Sequence, residues 1–135
     1  LYPLVSLRLK SDRLDAVVVP SAASAITIDT SICEWRLIEG CTTTGGTWTS
    51  IHNNSAVEYN IGGTGISGGI TVAKGFISSS NQSSSQIHLP KGEMFKFQLE
   101  RNTFANTATE FTLAISASTD NEVAYGSLDW EEVSR

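Results

Sequence analysis

Apolar and polar residues alternate with a period of two along most of the chain. Val5, Leu7 and Leu9 fall on one side of an extended segment, and Ser6, Arg8 and Lys10 on the other. Cys33, Trp35 and Leu37 alternate with Glu34 and Arg36, and Phe95, Phe97 and Leu99 alternate with Lys96, Gln98 and Glu100. The pattern recurs at Val57 and Tyr59, at Ile70 and Val72 leading to Phe76, at Phe111, Leu113 and Ile115, and at Leu128 and Trp130. Ile26 and Ile28 alternate with threonine and aspartate, and the apolar run from Ala16 to Val19 is expected to stop at Pro20. Successive side chains of a strand point to opposite faces, so this alternation predicts half-buried antiparallel strands.

Turn-forming residues separate the runs. They are Gly45-Gly46, the glycine-dense stretch Gly62 to Gly69, the polar stretch Ser78 to Ser85, Pro90-Lys91-Gly92 and Asp120-Asn121. No segment shows the apolar period of an amphipathic helix. Eight to ten short strands at this spacing predict an all-β fold, an antiparallel two-sheet sandwich of jelly-roll type. Phe95, Phe97, Leu99, Phe111, Leu113 and Ile115 are expected to share one core. The stretch Ser78 to Ser85 is expected to be an exposed loop.

The chain has 135 residues, which suits a single domain over 1–135 with one core. It starts at Leu1 rather than Met, so a module or processed piece of a longer chain is expected. Charged residues are only 17% of the total, and Ser, Thr and Asn crowd the middle of the sequence. Their short side chains compete for backbone hydrogen bonds, which favours strands and turns over helix interiors. A net charge of −5 argues against nucleic acid, whose phosphates require a basic stripe. It argues equally against anionic membrane surfaces, and no apolar run is long enough for membrane insertion as a helix. Cys33 and Cys41 flank a run that reads as a strand, so their Cα atoms lie beyond disulfide reach unless Glu39-Gly40 folds the chain back. Two free, buried thiols are expected.

Several motifs invite a chemical reading. Gly65-Ile66-Ser67-Gly68-Gly69 matches the nucleophile elbow G-x-S-x-G, which needs a strand-to-helix turn. Strand-like Ile70-Thr71-Val72-Ala73 follows instead, and no Asp or Glu lies between Ser67 and His88 to complete the order Ser, acid, His. Gly63 to Gly68 matches G-x-G-x-x-G, but without the following helix that would hold a pyrophosphate. His52 and His88 have no Cys or His at metal-ligand spacing. Asp120-Asn121-Glu122 lacks the alternating carboxylates of a calcium loop. Asn53-Asn54-Ser55 and Asn81-Gln82-Ser83 fit the glycosylation sequon, which matters only in a secreted eukaryotic chain. The chain therefore reads as a non-enzyme with no catalytic residues, no metal and no cofactor.

The residues with most to offer a partner are aromatic. Trp35 belongs to a core-patterned strand. Trp48, Tyr59, Trp130 and Tyr2 are candidates for contact with a neighbouring subunit or with the apolar face of a sugar. The apolar terminal segments, Leu1 to Leu9 and Ala124 to Val133, suggest self-association, because ends fray unless something ties them down.

A set of segments resembles a β-rich module of tailed-bacteriophage structural proteins, of the fibre, appendage or capsid-surface type. They are Val5 to Lys10, Glu34 to Leu37, Trp48 followed by Ser55 to Tyr59, Ser67-Gly68-Gly69 leading to Lys74-Gly75-Phe76, Phe111 to Ile115, and Ser127 to Glu132. The resemblance implies a virion component acting by self-association, commonly a homotrimer, and by contacts with other virion proteins. The alternative, of a different class, is a carbohydrate-binding host-recognition domain whose partner is a host surface glycan. The direction in which Trp48, Tyr59 and Trp130 point separates the two.

Overall fold

The computed structural model describes residues 1–14, 16–27, 32–78, 85–88, 108–117 and 124–133. Within them the chain is all-β. The strands are β1 (Tyr2–Leu9), β2 (Val17–Thr27), β3 (Ile32–Thr44), β4 (Thr49–Ser50), β5 (Val57–Asn60), β6 (Gly65–Ser78), β7 (Ser85–His88), β8 (Glu110–Ala117) and β9 (Ala124–Val133). They form a six-stranded sheet, β4-β5-β1-β8-β3-β6, and a three-stranded sheet, β7-β2-β9. Every pairing is antiparallel. The two-sheet sandwich expected from the alternation is what the chain adopts. Phe95, Phe97, Leu99, Ile28, Pro90-Lys91-Gly92, Asp120-Asn121-Glu122 and most of the stretch Ser78 to Ser85 lie outside the described residues.

One core lies between the sheets. Leu7 and Leu9 of β1, Cys33, Trp35 and Leu37 of β3, and Phe111, Leu113 and Ile115 of β8 meet Val18, Ala23, Ala25 and Leu128 of the smaller sheet. The small alanines let β2 approach the larger side chains opposite. Gly75 does the same on β6, where a Cβ would stand 2.6 Å from the Trp35 ring. The Trp35 indole N–H is buried there without a hydrogen-bond partner among the described residues. An unsatisfied buried donor of this kind costs about 1–3 kcal/mol.

Three local expectations change once the register is known. Pro20 does not end its strand. β2 runs on to Thr27 with a register shift between Pro20 and Ala22, a place where a strand tolerates proline. Beyond that shift Ala23, Ala25 and Thr27 face the core, so Ile26 stands on the outer surface paired with Tyr125. The β3 strand also runs longer than its alternation suggested, 13 residues, because an irregularity at Gly40 (φ 76°) carries it past Glu39 without a reversal. Cys33 therefore faces the core while Cys41 faces the other side of the sheet, and both thiols are free and buried.

The terminal segments are strands of the domain's own sheets. β1 sits between β5 and β8, and β9 pairs with β2 along its length, from Val17↔Val133 to Thr27↔Ala124. Pro3 is buried, and Leu4 and Trp130 pack against the core. Contrary to the expectation that a neighbour must tie these ends down, sheet pairing within the domain holds them.

Phe111 fills the centre of this core and is 1% exposed. Phe111→Ala is expected to lower unfolding stability by about 3–5 kcal/mol, read from the midpoint of a urea titration. A loss below about 1 kcal/mol would contradict the strand register that points Phe111 inward.

Candidate interaction surfaces

The outer face of the six-stranded sheet is not uniformly wet. Ser6 and Thr112 are directly opposed on β1 and β8, and both are fully buried although they face away from the core. Ser6 Oγ lies 2.8 Å from Thr112 Oγ1 and 2.8 Å from Thr43 Oγ1. The Cys41 thiol donates to Thr112 Oγ1 at 3.2 Å. The Thr43 amide donates to the Glu110 carboxylate at 2.9 Å. Ala114 and Ile38 complete this second packed layer, with Ile66 against it. Burial pushes the Cys41 thiol up from its ordinary range; the Thr112 hydrogen bond opposes this, and the nearby Glu110 charge adds to it. Cys41 is thus held as a thiol donor, the opposite of an activated nucleophile.

The four aromatic candidates do not gather on one platform. Trp48 precedes β4 at the sheet's far edge, and the Arg8 guanidinium stands 4.1 Å from its ring centroid. Arg8 also pairs with Glu58 across β1 and β5, at 3.6 Å. A cation–π contact at such a site contributes about 0.5–1 kcal/mol and occupies one face of the indole. Tyr59 and Trp130 are half-buried against the core between the sheets. Tyr2 is 53% exposed at the start of β1. Of the four, only Tyr2 presents most of its ring to solvent.

Trp130 belongs to a latch between the sheets that the sequence pattern does not reveal. Its indole N–H donates to Glu132 Oε2 at 3.2 Å. The same carboxylate accepts from Ser55 Oγ at 2.8 Å and from the Ala56 amide at 2.7 Å. The turn before β5 is fixed in addition by the Ser55 amide donating to the His52 carbonyl and by Lys10 Nζ, which donates to the same oxygen at 2.8 Å. His52 is therefore a turn residue on the surface. The side chain of His88 is not among those described. Ser67 lies within β6 opposite Thr42, and the chain continues there as strand, so the geometry of a nucleophile elbow is not formed. Among the described residues no group of three or more His, Cys, Asp or Glu side chains is placed to hold a metal ion. Among the described residues there is no helix long and apolar enough to cross a membrane.

Large apolar side chains remain on the outside, among them Ile26, Ile70 and Phe76, which the alternation counts among the apolar positions of half-buried strands. Ile32 (57% exposed) and Phe76 (67%) share the outer corner of β3 and β6, beside Arg36 and Lys74. Arg36 and Lys74 are directly opposed and line a shallow pocket of about 330 Å³ with Thr71, Val72 and Ala73. The pocket forms at a register shift between Leu37 and Ile38, where β6 carries one extra residue. Arg36 Nε donates to Glu34 on the same strand. On the smaller sheet, Ile26 and Tyr125 (60%) form a cross-strand apolar pair on the outer face. Comparison with protein-family models, with curated proteins and with solved structures found no match to this chain.

Glu132 offers a pH test of the latch. Its partial burial raises its pKa, but the Ala56 amide, the Ser55 hydroxyl, the Trp130 indole and the Lys10 charge together hold it below the usual carboxylate range. A carboxylate depressed in the folded state stabilises above its unfolded pKa, and this contribution is lost as pH falls through the folded value. Glu132→Gln is expected to lower the melting temperature at pH 7 and to weaken the fall of stability below about pH 4.5. Identical acid profiles for the two proteins would contradict the latch.

Proposed function

We propose that this chain is a non-catalytic structural component of a tailed-phage virion, acting by self-association and by contacts with other virion proteins. The observation that carries the reading is the grouping of large exposed apolar side chains into patches. Scattered surface apolar residues are ordinary, whereas grouped ones rimmed by polar residues mark contact surfaces. Ile32 with Phe76, and Ile26 with Tyr125, are such groups. The low charge density agrees with a surface partly covered by neighbours, since interface centres are depleted of charge. The virion assignment and the number three rest on the resemblance of the strand segments to phage modules. The carbohydrate-binding alternative needs an open aromatic platform, and Trp48, Tyr59 and Trp130 each pack against atoms of their own chain. It stands second.

Light scattering at micromolar concentration tests the central claim. The expected mass is three times the 14.5 kDa of one chain. An obligate contact buries about 2,000 Å² or more, so the assembly should persist on dilution. A monomer mass would overturn the reading, and so would the chain's absence from purified particles analysed by mass spectrometry.

A further inference from the structure

We infer that successive copies associate head to tail, the basic corner of β3 and β6 on one copy receiving the acidic outer face of β9 on the next. The inference rests on the self-association proposed above and names the two surfaces involved.

The charge pattern identifies the occupant. The chain carries nine Lys and Arg against fourteen Asp and Glu, and Arg36 and Lys74 are two cations directly opposed beside a pocket. Lys74 is exposed and makes no ion pair among the described residues. Arg36 is ion-paired with Glu34 through its Nε and lines the pocket together with Lys74, the cation of the pair without an ion-pair partner among the described residues. On β9, Asp129 and Glu131 are both exposed and likewise make no ion pair among the described residues. They oppose Ala22 and Val19 of β2, so no cation faces them across the strands.

The apolar residues repeat the match. Going along β3, exposed Ile32 is followed four residues later by Arg36 on the same face. Going along β9, exposed Tyr125 is followed four residues later by Asp129 on the same face. At about 3.3 Å per residue both spacings are about 13 Å. Phe76 widens the first apolar patch, and Ile26 widens the second. Each surface thus has an apolar end and a charged end at equal separation, with opposite sign. Docking one on the other sets Ile32 and Phe76 against Tyr125 and Ile26 while the Asp129 and Glu131 carboxylates reach the Arg36 and Lys74 pocket. Because the two patches differ, the contact is heterologous, the type that closes into a ring when the rotation permits.

Charge reversal tests this contact on the intact chain. Lys74→Glu alone, and Asp129→Lys with Glu131→Lys, should each weaken association roughly a hundredfold or more by sedimentation velocity, because like charges then face each other. All three sites are exposed, so thermal melts should match the original protein. The chain carrying all three changes restores opposite signs and should regain association. Unchanged association in both reversed chains would overturn the inference, and would mean that these patches serve a different partner. Failure of the combined chain to recover would overturn it as well. A monomeric original protein would overturn the self-association reading itself.

Discussion

The structure depends on the burial of its two central strands, β1 and β8, on both faces. Toward the smaller sheet they present Leu7, Leu9, Phe111, Leu113 and Ile115, an ordinary apolar interior. On the other side they present Ser6 and Thr112, which are no more exposed. A polar group taken from water is tolerable only if it is hydrogen-bonded, and these hydroxyls bond to one another, to Thr43 and to the Cys41 thiol. Each such bond contributes only about 0.5–1.5 kcal/mol net, but losing one partner leaves the other stranded. The row therefore acts on register more than on gross stability. A slip of one residue would place Leu7 among hydroxyls and Ser6 in the core.

That constraint explains why the Ser/Thr-rich composition suits this fold. Serine and threonine are small enough to lie flat on a covered sheet face and can each donate and accept, so a row of them satisfies itself without charge. Among the described residues the ionic contacts are few and local. Arg8 bridges Glu58 and the Trp48 ring at one edge, Arg36 engages Glu34 near the other, and Glu132 joins β9 to the turn before β5. The Glu132 latch matters most of these for the sandwich, because it crosses between the two sheets at a place where no strand pairing does.

Much of the fold was legible in the sequence because a period of two survives any choice of partners. The inward positions of β1, β3 and β8 follow from Leu7, Trp35 and Leu113 alone. Misread positions have more than one cause. Ile26 looked inward because the Pro20 shift, which moves every later residue of β2 to the other face, has no signature apart from the proline. Ser6 and Thr112 looked wet because alternation separates the two sides of a strand and says nothing about what covers each side. The aromatic candidates were chosen by residue type, and type does not predict that Arg8 covers Trp48 or that Trp130 spends its N–H on Glu132. Those contacts exist only once β1, β5 and β9 are brought together from distant parts of the chain.

Sheet edges complete the physical picture. Within the described residues the sandwich has four, β4, β6, β7 and β9. β4 has two residues and β7 four, too short to template a foreign strand. β6 and β9 have fourteen and ten, and these are the edges a sandwich must protect. Both carry exposed charge, Lys74 on one and Asp129 with Glu131 on the other. Like charges oppose each other whenever two identical edges approach, so β6 with β6 and β9 with β9 are both disfavoured, while β6 with β9 is attracted. The same charges that discourage each edge from pairing with itself lie on the outer faces of β6 and β9, where the head-to-tail contact proposed above would use them.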